Sequence, residues 1–230
     1  MQLLWEGLKE SIVLLFSGDR EMLEIFWLSL KVAASAMAFG AALGLPLGVF
    51  LGVSNFRGRQ ALLSLANASM GLPPTVVGLW VALFLWRSGP LGDLRLIYTP
   101  WAIIVAEVIL TTPILVALTA AATQAKRENL HEFLMSLGVN RFQYVRLLLR
   151  EIRVSLLAAI IAGFGRVFSE VGAAMMVGGN IKGETRTLTT AIVLEVSKGA
   201  FDRALALSFI LLAVSLSITA LLTHVQQRFG

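Results

Sequence analysis

The sequence of 230 residues contains no cysteine, and only 14% of its residues are charged. The absence of cysteine excludes disulfide bonds and thiolate metal sites. The two histidines, His131 and His224, have no neighbouring ligands at metal-site spacing, so we predict no bound metal and no cofactor. With 57% hydrophobic residues and a mean hydropathy of +0.81, the chain has too little charge to cover a soluble surface. We therefore predict an integral membrane protein.

The sequence also lacks the patterns typical of enzymes. No G-x-x-x-x-G-K-[ST] phosphate-binding loop is present, so an ATP-driven process requires a separate ATPase chain. Neither a serine–histidine pair, an aspartate pair nor a His-Glu-x-x-His helix indicates an intramembrane enzyme. The net charge of +5 fits a membrane surface or an anion route, and so apolar a chain argues against nucleic acid. We predict no catalytic residues and no nucleic-acid partner.

Long apolar stretches predict an all-α protein with about five transmembrane helices. A span needs about 20 largely apolar residues. Nothing between the stretches is long enough for a soluble domain, so residues 1–230 are predicted to form a single transmembrane domain in membrane lipid. The five predicted spans are residues 32–56, 60–86, 98–125, 154–181 and 204–226.

Residues 1–17 predict an amphipathic helix that lies in the membrane interface and does not cross the bilayer. Apolar residues recur there at helical spacing, opposite Glu6, Lys9 and Glu10. The segment has no basic n-region and no small-residue cleavage pattern, so we expect it to stay attached. Asp19 follows it and is placed to cap the next helix.

Small residues and prolines predict how the spans pack and bend. Small residues that stand four apart form one narrow face of the first span, which predicts close packing against another helix, with a moving contact as the alternative. These residues are Ala36, Gly40, Gly44, Gly48 and Gly52. Prolines inside the first three spans are each expected to bend or interrupt a helix. They are Pro46, Pro73, Pro74 and Pro113.

The polar segment 126–153 is too charged to span the membrane. It predicts two short helices, residues 128–137 and 141–152, joined by a turn at Gly138. Its density of lysine and arginine favours the cytoplasmic side. A rigid helix–turn–helix would suit docking of a soluble partner, and a solvated charged loop is the alternative that these residues leave open.

Three charged residues lie inside predicted spans. Arg166 and Glu170 stand four apart in the fourth span, and Glu107 lies at similar depth in the third. An unpaired charge near the bilayer centre costs at least about 2.5–3.5 kcal/mol on insertion scales. We therefore expect Arg166 to pair with Glu170 and to contact Glu107. The network either fixes helix register or lines an anion route.

Two motifs resemble the permease subunits of ATP-binding-cassette (ABC) importers. Residues 132–138 are similar to the Glu-Ala-Ala-x-x-x-Gly signature of their coupling helix, although Phe133 and Leu134 replace the alanines. Residues 164–181 resemble the Phe-x-Arg-x-x-x-Glu-Phe-Gly-Ala…Gly-Asn-Ile pattern of molybdate and sulfate permeases, with Val171 in place of phenylalanine. Three further segments look most like the tungstate branch, namely residues 70–79, 87–92 and 182–192.

The resemblance implies a type I ABC importer permease fold in the cytoplasmic (inner) membrane, with import of tungstate; molybdate or sulfate is the alternative within the superfamily. It implies a homodimer, two cytoplasmic ATPase subunits and an extracytoplasmic substrate-binding protein. A proton-coupled secondary transporter that uses Glu107 and Glu170 is the rival from the residues alone. The absence of an inverted repeat argues against it.

The resemblance also implies roles for particular residues. Glu132 and Gly138 would shape the turn that docks on the ATPase, with Arg141 as a further contact. At the other side of the membrane, backbone donors, hydroxyls and one cation could pass a tetrahedral dianion. The outer-gate candidates are Gly179, Asn180, Thr185 and Arg186. The first two are equally explained as a helix end, because glycine and asparagine tolerate the left-handed conformation.

Overall fold

The computed structural model describes Trp5, Lys9, Ser11 and residues 19–136 and 138–229, with the backbone alone at 128–136, 141 and 229. Apart from those three positions, the helix predicted for residues 1–17 lies outside the described residues. Every regular element in the described part is helical. The α-helices are α1 (Arg20–Val53), α2 (Arg59–Ser69), α3 (Pro74–Leu85), α4 (Pro100–Ser136), α5 (Arg141–Glu151), α6 (Arg153–Phe168), α7 (Gly172–Gly178), α8 (Leu188–Ser197) and α9 (Phe201–Phe229).

Five potential membrane spans agree with the number predicted. Helices α1, α4 and α9 are long and apolar enough to cross alone, while α2–α3 and α6–α7 are pairs bent by 103° and 56°. The predicted interruption occurs at Pro73 and Pro74, because Pro74 begins α3 and cannot continue the hydrogen-bond ladder of α2. By contrast, Pro46 and Pro113 lie inside the continuous helices α1 and α4.

Helix α4 lies at the centre of the bundle. Of its apolar window 67% is buried, compared with 44% for α1 and 17% for α9. The main core gathers buried side chains from α1, α3, α4, α6 and α7, including Met37, Val81, Ile103, Leu115, Phe164 and Val177. The exposed face of α9 is therefore available to lipid or to another subunit.

The small-residue face of α1 packs directly on α4, as predicted. A Cβ added to Gly44 would lie 2.6 Å from Cβ of Leu115, and one added to Gly48 would lie 2.6 Å from Cβ of Thr119. Side chains on α4 thus occupy the space that glycine leaves on α1. The α4 stripe repeats every four residues, at Thr111, Leu115, Thr119 and Thr123.

Helix α4 also corrects the prediction of a separate helix at residues 128–137. The third span and that helix are one continuous helix of 37 residues that ends at Ser136. Residues 114–136 contain no glycine and no proline, so nothing in the sequence stops the helix at the membrane surface. The turn predicted at Gly138 is confirmed by its φ of +72°.

Helix caps fix where two elements begin. The Asp19 side chain accepts a hydrogen bond from the Glu21 amide at 3.0 Å, which confirms the predicted cap of α1. A capping box begins α5, because Asn140 Oδ1 accepts from the Gln143 amide at 2.9 Å and Gln143 Oε1 accepts from the Asn140 amide at 3.0 Å.

Helix α1 connects the two ends of the molecule. With 34 residues it is about 51 Å long. Near its first turn, Glu21 accepts a hydrogen bond from Lys182 Nζ at 2.6 Å. At its last residue, Val53 packs against a cluster that contains Tyr144 and Leu148. The loop after α7 and the segment that contains α5 therefore lie at opposite ends of the bundle.

We expect Gly48→Ala to destabilise the protein by about 1–3 kcal/mol, because the added methyl group overlaps Thr119 and the helices must separate. Thermal unfolding in detergent measures the effect. Gly165→Ala in α6 is the matched control, since no atom lies within 4 Å of its added Cβ. Equal stability of the two variants would contradict the close packing of α1 on α4.

Candidate functional site

Gly179 and Asn180 end α7. Their φ values are +68° and +53°, so both adopt the left-handed conformation. The Gly179 amide donates to the Met175 carbonyl at 3.1 Å, as in a regular helix C-terminus. The left-handed backbone at the end of α7 thus explains why glycine and asparagine occupy these two positions. Asn180 also reaches α8, where its side-chain amide donates to the Thr190 carbonyl at 3.3 Å.

Thr185 holds the loop after α7 in shape. Its side chain is fully buried, and its hydroxyl donates to the Gly178 carbonyl at 2.6 Å. The same oxygen accepts from the Ile181 amide at 2.9 Å. Since a threonine hydroxyl has one donor, Thr185 has none left for an anion in this arrangement.

Arg186 forms an ion pair with the start of α1. Its Nη1 lies 3.1 Å from Glu21 Oε1, and its Nη2 donates to the Asn180 carbonyl at 3.5 Å. The side chain is 15% exposed, and its buried Nε has no hydrogen-bond partner among the described residues. Lys182 Nζ lies 2.6 Å from the other oxygen of Glu21. One carboxylate therefore holds two cations of this loop.

Sequence reasoning did not identify Glu21 as a functional candidate. It lies 161 residues from Lys182 and 165 from Arg186, and its local sequence indicates only the first turn of a helix. A second contact joins α1 to the first residue of α8, at the end of this loop, because Ser29 Oγ accepts from the Leu188 amide at 2.8 Å. The loop after α7 is thus fastened to α1 at two levels.

Two cavities flank the Glu21–Arg186 pair. The larger, of about 460 Å³, lies between the first three turns of α1 and the loop, and both Lys31 and Arg186 line it. The smaller, of about 40 Å³, lies on the side of α8 and α9, where Glu195 and Arg203 contribute to its wall. The larger cavity has room for a small anion.

The predicted pair between Arg166 and Glu170 is confirmed at 3.3 Å. The other oxygen of Glu170 accepts hydrogen bonds from the Val171 and Ala173 amides, at 3.0 and 3.2 Å. The Glu170 side chain is 5% exposed. It caps the N-terminus of α7 at the bend that follows α6, a position that favours negative charge.

The predicted contact between Glu107 and Arg166 is not formed as a direct ion pair among the described residues. Arg166 is engaged by Glu170, one helical turn away in sequence. Glu107 is 2% exposed, and its Oε2 has no hydrogen-bond partner among the described residues. Glu107 and Glu170 instead share a cavity of about 20 Å³ with Thr187 and Thr189. That volume is sufficient for one water molecule.

Metal ligands do not cluster in the described part of the chain. Among the side chains that the structure describes, which exclude those of residues 128–136, no three His, Asp or Glu are grouped so that they could hold a metal ion.

The segment around α5 is packed against the bundle and is not a solvated loop. Tyr144, Leu148 and Ile152 form a buried cluster on its inner face. Burial raises the pKa of Tyr144, and the positive charge of Arg127 opposes that rise. At the edge of the cluster, Lys126 Nζ lies 3.0 Å from Glu151 Oε1. The inner face of α5 is thus held against the bundle by buried apolar side chains.

Phe142 is the residue of this segment that sequence reasoning missed. Its side chain is 79% exposed, the largest value for a large apolar side chain in the described part. It follows Asn140 by two residues, directly after the Gly138 turn. No periodicity could have singled it out, because only the orientation of α5 shows which of its faces is buried. The side chains of Glu132 and Arg141 lie outside the described residues.

The chain is similar to known transport proteins over nearly its whole length. It is 38% identical over 228 residues to the tungstate uptake system permease protein TupB of Peptoclostridium acidaminophilum, covering 99% of this chain and 100% of that protein. It is 40% identical over 212 residues to a protein of Haloferax volcanii described as a probable anion ABC transporter permease, covering 90% and 91%.

A solved structure shares the fold. It is a bacterial ABC transporter involved in the import of the acidic polysaccharide alginate, with a TM-score of 0.76, 19% sequence identity and coverage of 95% of this chain and 83% of that one. A family model described as "binding-protein-dependent transport system inner membrane component" matches residues 44–230. This chain therefore belongs to the family of inner-membrane permease components of binding-protein-dependent ABC transporters, and it is a transport subunit, not an enzyme.

Proposed function

We propose that this chain is the membrane-spanning permease subunit of an ATP-driven tungstate importer. The observation that carries the proposal is the 38% identity to a tungstate uptake permease along the full length of both proteins. Tungstate, molybdate and sulfate are all tetrahedral dianions, so molybdate or sulfate import remains the alternative within the same class.

The proposed assembly contains two copies of this chain, with one route between them. Residues 1–230 form one permease domain surrounded by lipid. Because the sequence contains no phosphate-binding loop, ATP is hydrolysed by two ATPase subunits on the cytoplasmic side. An extracytoplasmic binding protein delivers the anion, in keeping with the family description.

Charge distribution orients the chain. Both ends of the bundle carry basic residues in similar number, but at the end that holds α5 they are concentrated in one segment, residues 126–153, and this density favours the cytoplasm. The basic residues of that end are Arg57, Arg59, Lys126, Arg127, Arg141, Arg146, Arg150 and Arg153. The loop after α7 lies at the opposite end and therefore faces outward.

Residues 126–153 form the coupling segment that docks on the ATPase. Glu132 and Gly138 shape its turn and Arg141 adds a contact, as the family resemblance implies. The exposed Phe142 supplies the apolar anchor, since aromatic side chains that fill a partner pocket contribute much of the binding energy in interfaces. Packing of Tyr144 and Leu148 behind it transmits force from the anchor to the bundle.

The outer-gate candidates divide into two roles. Gly179, Asn180 and Thr185 hold the loop in shape through backbone conformation and buried hydrogen bonds. Arg186 is the member whose charge and spare donor can meet an anion. The gate therefore acts through Arg186 on a loop that the other three residues keep rigid.

Arg166, Glu170 and Glu107 form a structural group, and we favour this role over a lining of the route. Both oxygens of Glu170 are engaged, and its side chain is buried at the bend between α6 and α7. A negative group held this way would repel a dianion. A proton relay through Glu107 and Glu170 is the second candidate function, and it predicts uptake without ATP.

ATP-dependent uptake tests the proposal. In proteoliposomes that contain this chain with the ATPase and binding protein encoded beside it, we expect tungstate uptake only with ATP. Molybdate and sulfate are offered as competitors to rank the three anions. Uptake that is indifferent to ATP would contradict the proposal and favour the proton-coupled carrier.

The coupling turn has its own test. Gly138→Pro should abolish ATP-dependent uptake, because proline requires a φ near −65° and Gly138 has +72°. Glu132→Ala should reduce uptake through the same turn. Tungstate binding to the binding protein and the thermal stability of the permease are the controls. Full uptake by both variants would rule out the coupling role of residues 126–153.

Phe142→Ala should weaken binding of the ATPase by about 2 kcal/mol, or roughly 30-fold, because an aromatic anchor is lost. Leu216→Ala in α9, where the side chain is 67% exposed, is the control that removes a comparable apolar surface within a span. Affinity is measured between the purified permease in nanodiscs and the ATPase. If both variants bind like the wild type, Phe142 is not an anchor.

A further inference from the structure

Excess positive charge surrounds Glu21 at the outer end of α1. Lys182 and Arg186 both pair with its carboxylate, and Lys31 lines the same cavity as Glu21 and Arg186. Glu24, the next acid along α1, is engaged separately by Arg20 at 3.2 Å. Two cations thus share one carboxylate, and Lys31 adds a third positive charge on the wall of the same cavity, so the local excess of two positive charges matches the charge of a tetrahedral dianion.

The site has both access and unused donors. The cavity of about 460 Å³ beside Arg186 is large compared with a single oxyanion. Arg186 Nε is buried without an acceptor in the described part of the chain, and the Lys182 side chain is 64% exposed. A guanidinium with a free donor edge binds oxyanions through paired, charge-assisted hydrogen bonds.

Resting on the function proposed above, we propose that Lys31, Lys182 and Arg186 form the outer receiving site for the dianion, and that Glu21 is a built-in competitor which the anion displaces from Arg186. The exchange breaks the pair between Arg186 Nη1 and Glu21 Oε1 and replaces it with donors to the oxyanion. No covalent bond changes.

Glu21 can leave Arg186 at low cost. Its second oxygen keeps the hydrogen bond to Lys182 at 2.6 Å, and its side chain is 31% exposed, so water can solvate the released oxygen. The cost of an unpaired buried charge therefore does not arise.

Competition by Glu21 for Arg186 would connect arrival of the anion to movement of the loop after α7. In this structure Glu21 ties the loop after α7 to the first turn of α1. When the anion binds Arg186, Glu21 loses its ion pair with Arg186 and keeps only the one with Lys182, so the contact between α1 and the loop weakens. Opening is thus favoured when an anion is present, while without one Glu21 keeps Arg186 occupied and the loop in place.

Tungstate binding to the purified permease, without the binding protein, tests the inference. In phosphatidylcholine nanodiscs, Glu21→Gln should bind tungstate about tenfold more tightly than the wild type, because the amide no longer competes as an anion. Arg186→Gln should remove this gain when it is combined with Glu21→Gln. Equilibrium dialysis with elemental analysis of tungsten measures both.

Glu24→Gln is the matched control. It removes a carboxylate from the same helix and the same cavity, but its partner Arg20 is 94% exposed, so screening by solvent should limit the change to less than about twofold. Nanodiscs that contain phosphatidylglycerol test whether the site binds the free anion or the phosphate group of a lipid. The negative lipid surface repels tungstate from the wild type and from Glu21→Gln alike, so the gain of the variant over the wild type is the quantity compared. If that gain persists in them, the site receives the free anion; if it is lost, lipid phosphate occupies the site and the inference is overturned.

A purely structural role for Glu21 predicts a different result. Glu21→Gln would then lower the thermal stability of the permease and leave tungstate affinity unchanged or weaker, which would overturn the inference. The uptake assay keeps this outcome separate from the proposed function. ATP-dependent uptake by the wild type, with no gain in binding by Glu21→Gln, would refute the competitor alone; loss of wild-type uptake would refute the importer.

Discussion

The contact between α1 and α4 is the constraint on which the rest of the structure depends. At Gly44 and Gly48 the backbone of α1 comes so close to α4 that no side chain fits between them. Helices packed in this way gain dispersion contacts along their length, which is the main source of helix association in a bilayer. Helix α4 is also the most buried span, and α2, α3, α5, α6 and α7 all contact it, while α9 packs on α6 and α8.

The packed pair of α1 and α4 connects the two ends of the molecule. The proposed anchor, Phe142, lies on α5, which packs near the last residue of α1. The Glu21–Arg186 pair lies at the first turn of α1, at the opposite end. The bent pairs α2–α3 and α6–α7 lie between these ends, and Glu170 stabilises the second bend. Movement is therefore expected in the loop after α7 and in the bent helices, and not between α1 and α4.

Local and periodic features were predictable from the sequence. The cap at Asp19, the glycine face of α1, the turn at Gly138 and the pair between Arg166 and Glu170 all depend on residues close in sequence. Contacts between residues distant in sequence were not predictable, because periodicity carries no information on which helices pack together. Glu21 was therefore not identified, and the ion pair that the described residues show for Arg166 is with Glu170 and not with Glu107.

A disulfide between α1 and α4 tests most directly whether the pair moves as one body. The sequence contains no cysteine, and a Cβ added to Gly40 would lie 3.7 Å from Cβ of Thr111, a suitable distance for the bond. We predict that Gly40→Cys with Thr111→Cys, once oxidised, retains the ATP-dependent uptake of its reduced form. Uptake that is lost on oxidation and restored by a reductant would show that α1 moves along α4, and would contradict the account.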